Sequence, residues 1–438
     1  MQRYENAVEW LKKWDTFSLK LGMERMAWMM EKLGHPERLL RSVHIGGTNG
    51  KGSTLTFLES ILRQAGYSVG TFTSPSLGAF NERIKKDGKP VTDEALCRAI
   101  EMVRPHAEAL GATEHGEPTE FEVITAVAIV YFAKIDPCDF VLFEVGLGGL
   151  HDSTNVLLPM LTIITNVGWD HVEQLGPTLA DIAREKAGII KPGVPVITGA
   201  EGEAETIIQT TAAERRAKLY RLGYEFQIDG VERTEDGEVY DFRSPFSRYE
   251  RLTIRMAGRH QVINAALAVM AADYLRNFFA VDIEEEALRD GLKRAFWPGR
   301  FEKISERPLV ILDGAHNPDG MRALADEVRR RYPNRRLHLL FAAFKDKDCA
   351  AMLAELNAVA DRVVLTTFDH PRASRPSALM SAVPEGMRAE EAGDWQTAYH
   401  RMLEVMTDED MLLITGSLHF VGMVRQALGV SDPPLARS

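Results

Sequence analysis

The run Val43-His44-Ile45-Gly46-Gly47-Thr48-Asn49-Gly50-Lys51-Gly52-Ser53 constrains the fold more than any other stretch of the chain. Its apolar start reads as the end of a buried strand, and from Thr54 to Ala65 the apolar residues Leu55, Leu58, Ile61 and Leu62 recur at helical spacing. Strand, glycine-rich turn with one lysine, then helix is the plan of a phosphate-binding loop. Glycines let backbone N–H groups close around a phosphate without side chains in the way. The helix N-terminus adds partial positive charge and Lys51 a full one. Thr48, Asn49, Gly50, Lys51, Gly52 and Ser53 are therefore candidate phosphate contacts, with the Ser53 hydroxyl placed for a phosphate-bound Mg²⁺. The spelling departs from G-x-x-x-x-G-K-[ST] by the extra Gly52 before Ser53.

The bulk of the sequence narrows what such a loop serves. The chain has 438 residues, 45% hydrophobic and 26% charged, enough for two or three globular domains. A net charge of -11 argues against a nucleic-acid or anionic-membrane partner, so an anionic substrate must be drawn by local positive charge. Cys97, Cys138 and Cys349 are far apart and form no C-x-x-C, which leaves neither a disulfide framework nor a zinc site. The first fourteen residues are polar and charged, unlike a signal peptide, and no apolar run reaches membrane-spanning length. A monomer in the cytoplasm is the expectation.

Along the chain, residues 1–40 read as helical, and Thr92–Leu110 as a helix that Pro105 should break or kink. Phe140–Phe143 is a fully apolar strand ending in Glu144. An acid at the carboxyl end of a parallel strand faces the ligand crevice of an open α/β sheet, which makes Glu144 a candidate Mg²⁺ ligand. Residues 201–256 suggest a helix and then hairpins at Asp229-Gly230 and Asp236-Gly237. Trp297-Pro298-Gly299-Arg300 breaks the pattern, and strands at Leu309–Leu312, Leu337–Phe341, Arg362–Thr366 and Met411–Thr415 follow. The expected fold class is α/β: a P-loop-type parallel-sheet ATPase domain over 1–298 and a smaller Rossmann-like domain over 299–438.

Three strings, G-T-N-G-K-G-S at 47–53, E-K-A-G-I-I-K-P-G at 185–193 and D-G-A-H-N-P at 313–318, resemble the Mur-type amide ligases. The added glycine resembles the folylpolyglutamate synthase/dihydrofolate synthase branch, and the likeness runs in order along nearly the whole chain. It implies an ATP-dependent ligase that joins L-glutamate to a folate-type carboxylate through an acyl phosphate, with Lys51, Lys186, Asp313 and His316 in catalysis. It implies that Asn264, Arg300 and Asp313 meet ATP, and that Ser53, Ser74, Glu144 and His171 hold metal, with two Mg²⁺ sites. By the same resemblance Lys186 is the lysine that is carbamylated. The resemblance also implies that Leu19, Lys20, Leu21, Thr119, Phe121, Glu122 and Asp152 line the acceptor site, and makes Ser417 a candidate for holding the amino acid. Closure of the two domains would bring the substrates together.

At two positions the chain departs from that pattern. Leu150 stands where the family has arginine in G-L-G-G-R-x-D, and Ser76 follows T-S-P where a histidine or aromatic is usual. Leucine cannot donate to a carboxylate. Two other readings therefore stay open: a ligase of the same branch with a different carboxylate acceptor, and a P-loop ATPase that is not a ligase.

Overall fold

The computed structural model describes residues 2–14, 22–76, 80–235 and 237–432. The chain divides into two compact units: residues up to Arg255 with Gln261–Phe296, and residues from Trp297 with Met256–His260.

The first unit is built on an eight-stranded sheet. Its strands are β1 (Ser42–Gly46), β2 (Val69–Phe72), β3 (Ile84–Lys86), β4 (Lys89–Pro90), β5 (Phe140–Glu144), β6 (Leu161–Ile164), β7 (Val196–Thr198) and β8 (Leu219–Arg221), in the order β4-β3-β2-β5-β1-β6-β7-β8. The six strands from β2 to β8 in that order run parallel, while β3 and β4 form an antiparallel edge. β1 and β5 are buried along their whole length, as apolar strands covered by helices must be. The helices Gln2–Lys12, Glu24–Leu33, Asp93–Leu110 and Glu120–Val130 share a core with Phe72, Val141 and Phe143 of the sheet. Glu120–Val130 is apolar on every side and accordingly buried nearly all round.

Two local expectations are corrected. Asp93–Leu110 continues through Pro105 as one helix; only one intrahelical hydrogen bond is forgone there, and the buried face of Ile100, Val103, Ala107 and Leu110 carries the helix past it. Asp229-Gly230 is not a turn but lies inside β9 (Gln227–Thr234), which pairs antiparallel with β10 (Gly237–Arg243), itself paired with β11 (Arg248–Ile254). The β9–β10 register shifts opposite this dipeptide, so the glycine serves a bulge.

The second unit holds β12 (Glu302–Glu306), β13 (Leu309–Leu312), β14 (Arg336–Phe341), β15 (Ala360–Leu365), β16 (Ala389–Glu391) and β17 (Asp410–Thr415), ordered β12-β13-β17-β14-β15-β16. All are parallel but β12. Alternation along β13 sends Leu309 and Ile311 to one face and Val310 and Leu312 to the other. Pro318–Arg331 and Cys349–Leu356 pack on the first face, Trp395–Val405 and Leu418–Ala427 on the second. The loop after β17 thus departs to the opposite side from the loops after β13 and β14. That divergence is a topological switch point, where open α/β sheets form a ligand crevice. No helix of the described residues is long and apolar enough to cross a membrane.

Candidate active site

β1 delivers the chain into a turn over Thr48–Gly50, and the helix Lys51–Gln64 starts at once, as the motif predicts. Gly47 and Gly50 have φ of 138° and 82°, a region closed to most side chains. Space is missing as well: a Cβ on Gly47 would fall 1.9 Å from Thr165 Oγ1, and one on Gly50 2.2 Å from Asn264 Oδ1. Asn264, 214 residues beyond Gly50 in sequence, thus lies against the loop.

The segment after β6 clamps the loop from the other side. Thr48 N–H donates to Asn166 O (3.0 Å) and Asn49 N–H to Asn166 Oδ1 (2.9 Å). The Thr48 hydroxyl accepts from Gly168 N–H (2.9 Å), and Thr165 Oγ1 donates to Asn49 O (2.6 Å). Lys51 Nζ folds back onto the carbonyls of Gly47 (3.1 Å) and Thr48 (3.2 Å). Ser53 is buried in the first turn of the helix.

Beside Lys51 stands Lys186, buried in the helix Leu179–Ala187. Burial, and after it the charge of Lys51, pulls the Lys186 ammonium from 10.5 down to about 7, against the opposing pull of Asp170, Asp152 and Glu185. The Lys186 ammonium thus feels one lysine of the glycine loop and three carboxylates. Asp170 was not among the residues singled out for the site; its place in N-V-G-W-D-H, directly before His171, was the available signal.

Glu144 ends β5, in register with Ile45 of β1, and its Oε2 accepts from the backbone N–H of Ser74 (3.2 Å). His171 has φ of 51°, a left-handed conformation uncommon away from glycine, and its ring Nε2 lies 3.8 Å from Asp170 Oδ1. Among the described residues no group of three or more His, Cys, Asp or Glu is arranged to hold a metal ion. A cage of protein carboxylates is thus lacking. One strand-end carboxylate, with the backbone of Ser74 against it, suits Mg²⁺, which keeps several waters and shares its shell with substrate phosphates.

The loop after β5 meets Phe121 and Asp152. A Cβ on Gly146 would fall 2.4 Å from the Phe121 ring and 3.1 Å from Asp152 Oδ2. Asp152 accepts from Leu147 N–H (2.8 Å), Thr154 N–H (3.0 Å) and the Thr154 hydroxyl; burial nevertheless pushes its carboxyl up. Thr119 and Glu122 form a reciprocal capping box, and Glu122 also makes a buried ion pair with Arg25 (2.9 Å). Their polar atoms are engaged within the fold, whereas Phe121 is half-buried with its ring against Phe72. Leu19, Lys20 and Leu21 lie outside the described residues.

In the second unit Asp313, buried at the end of β13, accepts from Phe301 N–H (2.8 Å) and Ala315 N–H (2.8 Å). Burial raises its carboxyl, opposed first by Arg300. The Arg300 guanidinium would lie 2.7 Å from a Cβ on Gly314, so that glycine makes its room. His316 Nδ1 donates to Gly314 O (2.8 Å), which fixes the tautomer. Ser417 is buried and caps the helix Leu418–Ala427 by accepting from Phe420 N–H.

The sequence matches the Mur ligase middle domain over residues 45–272 and the Mur ligase glutamate ligase domain over residues 299–418. It is 42% identical over 430 residues to the dihydrofolate synthase/folylpolyglutamate synthase of Bacillus subtilis, covering 97% of this chain and 99% of that one. The chain belongs to the dihydrofolate synthase/folylpolyglutamate synthase family of Mur ligases. Folylpolyglutamate synthase of Lacticaseibacillus casei is 34% identical, over 92% of this chain and 94% of its own. Two solved structures are close in fold. Folylpolyglutamate synthase of Mycobacterium tuberculosis, complexed with ADP and AMPPCP, has a TM-score of 0.91 at 30% identity and 99% coverage of both chains. Escherichia coli FolC, in complex with DHPP and ADP, has a TM-score of 0.87 at 30% identity and 97% coverage of both. The family's α/β plan, a large parallel-sheet unit before a smaller mixed one, is the plan of this ligase.

Proposed function

We propose that this ligase activates the carboxylate of dihydropteroate or of a tetrahydrofolate with ATP and joins it to L-glutamate. The observation that carries the reading is the glycine loop itself, with Lys51 opening its helix, Asn264 against Gly50 and Thr165, Asn166 and Gly168 clamped on Thr48 and Asn49. In the first step a carboxylate oxygen attacks the γ-phosphorus of ATP, ADP leaves, and an acyl phosphate forms. Loop N–H groups and Lys51 bind the phosphates and oppose the charge that spreads over the transferring group. Asn264 lies against the loop on the nucleotide side of this reading. In the second step the glutamate amine, having lost its proton, attacks the acyl carbon; phosphate leaves and the amide remains.

The metal proposal places Mg²⁺ on Ser53, Ser74, Glu144 and His171, where it would neutralise phosphate charge. Arg300, Asp313 and His316 act on ATP and glutamate in this proposal, and Ser417 on the amino acid; a planar guanidinium suits phosphate oxygens. Lys186 is the proposed carbamate. Its lowered pKa of about 7 leaves a neutral amine fraction at neutral pH, the form that adds to CO₂ with release of one proton. A 13C signal of the carbamate from ¹³CO₂-equilibrated enzyme, absent in Lys186→Met, is the expected result. A monomeric enzyme of the cytoplasm, with Cys97, Cys138 and Cys349 as free thiols, completes the proposal.

The test is phosphate release dependent on both ATP and glutamate, with dihydropteroate and tetrahydrofolate offered separately. Turnover with both makes the enzyme bifunctional; turnover with one assigns it to that acceptor. Nucleotide binding without turnover on either acceptor removes the folate assignment.

A further inference from the structure

Isolated exposed apolar side chains need no explanation. Trp169, Leu150 and Val172 differ because they stand on the two segments that flank Lys186. Trp169 is 48% exposed, Val172 42% and Leu150 40%. The backbone under Trp169 is fixed: Gly168 N–H donates to the Thr48 hydroxyl, which donates to Gly168 O (3.2 Å). On its other side Asp170 is one of the carboxylates that act on Lys186. Trp169 thus stands one residue beyond the Gly168 clamp on the phosphate loop, with its indole half exposed. Leu150 is anchored comparably, its N–H donating to the carbonyl of Glu185 (2.7 Å), the residue before Lys186. The two segments meet where Leu175, at the end of the helix Val172–Leu175, would touch a Cβ on Gly148 at 2.8 Å.

A large aromatic kept exposed on a rigid segment beside a reaction centre is suited to an aryl partner. Resting on the folate reading above, the acceptor is a carboxylate whose nearest rigid group is a benzoyl ring. We infer that Trp169 is a specificity residue that stacks on the acceptor's benzoyl ring, with Leu150 and Val172 as apolar lips. Selection by arene contact also accounts for a leucine at position 150, where an ionic contact is given up.

The test measures KM for acceptor, ATP and glutamate in wild type, Trp169→Ala and Trp169→Phe, using whichever of dihydropteroate and tetrahydrofolate the wild type turns over. Trp169→Ala should raise the acceptor KM about tenfold or more, the scale of a lost aromatic stack with its buried area. The KM values for ATP and glutamate should stay within about twofold, and Trp169→Phe should recover most of the loss. An unchanged acceptor KM overturns the inference alone, and so does a rise in the ATP KM in its place, which would put adenine on the indole. No wild-type turnover with either acceptor overturns the folate reading and this inference with it.

Discussion

Two loops leave neighbouring parallel strands at the same edge of the sheet, and they are built on opposite principles. The loop after β1 is held by hydrogen bonds of its own backbone and of the Thr48 hydroxyl to Thr165, Asn166 and Gly168, with Lys51 Nζ folded back on the carbonyls of Gly47 and Thr48. The loop after β5 is filled by side chains from elsewhere: Phe121 over Gly146, Leu175 and Glu185 against Gly148, Ile189 against Gly149. The first presents N–H groups, which any phosphate satisfies. The second presents a packed surface whose shape depends on partners distant in sequence. On the proposed reading, one loop would carry chemistry common to many substrates, and the other the choice among them.

The largest expected break in that contrast comes from Lys51→Met. Losing the charge at the phosphate loop should lower kcat/KM about 10²–10³-fold with each acceptor alike, because it opposes charge in the transferring phosphoryl group. Rapid-quench measurement of ADP formation, with folding checked by circular dichroism, reads it. A drop confined to one acceptor would mean that Lys51 belongs to acceptor recognition.

Paired glycine changes sharpen the division. Gly50→Ala introduces a side chain at φ 82° and 2.2 Å from Asn264 Oδ1. It should weaken AMPPCP binding about tenfold or more, since the loop must shift or Asn264 must leave. Gly148→Ala sits at φ 64° and meets Leu175 at 2.8 Å. It should raise the acceptor KM while nucleotide affinity holds. Calorimetric titration of both ligands into both variants decides; parallel losses would erase the distinction between the loops.

Two buried bases, His44 and Lys186, each give stability a pH signature. His44, inside β1, is pulled down from 6.5 to about 3 by burial first and by Lys191 second, while its Nε2 meets the Thr154 hydroxyl at 2.7 Å. Between those values the unfolded chain binds a proton that the native one refuses, so stability falls as pH drops from about 6.5 toward 3. At about 1.4 kcal/mol per pH unit, a His44→Gln variant should show a visibly flatter acid limb in urea unfolding. Lys186 obeys the same sign at higher pH. In CO₂-free buffer, where Lys186 is an unmodified amine, the native chain sheds its proton near 7 and the unfolded chain near 10.5, so stability rises across that interval. Lys186→Met should be the more stable protein at pH 7, by a gain that fades toward pH 10.5, though inactive. A variant less stable than wild type at neutral pH would mean that the neighbouring carboxylates outweigh burial.

What the sequence disclosed follows the same division. The glycine loop, its strand and helix, Glu144 at a strand end and the alternation of the second unit are all local patterns, and local patterns are legible. Ser417, Thr119 and Glu122, assigned to ligands by resemblance, also serve the fold: Ser417 and Thr119 cap helices, and Glu122 pairs with Arg25. A cap and a binding residue carry the same side chains, and only the position of a helix start separates them. Pro105 looked like a break because propensity is local, whereas the packing that overrides it is tertiary. The clamp of Thr165, Asn166 and Gly168 on Thr48 and Asn49 joins segments more than a hundred residues apart, and no motif spells it.

The smallest expected effect tests the second loop at the position where it departs from the family. Leu150 is 40% exposed, its backbone N–H is tied to Glu185, and its side chain borders Gly188. Arginine fits such a site without burial of charge, so Leu150→Arg should change stability by less than about 0.5 kcal/mol. Electrostatically it adds a cation beside the Glu185 carboxylate, which already pairs with His151 at 2.9 Å. Screened by water and by that carboxylate, the new charge is worth about 1 kcal/mol or less to an anionic ligand, a few-fold in affinity. Tetrahydrofolate carries one more carboxylate than dihydropteroate and should gain most. The expected outcome is a KM for tetrahydrofolate lowered about two- to fivefold, with the ATP KM unmoved. Equal gains for both acceptors would assign position 150 to the shared reacting carboxylate, and no change at all would move the acceptor away from this loop.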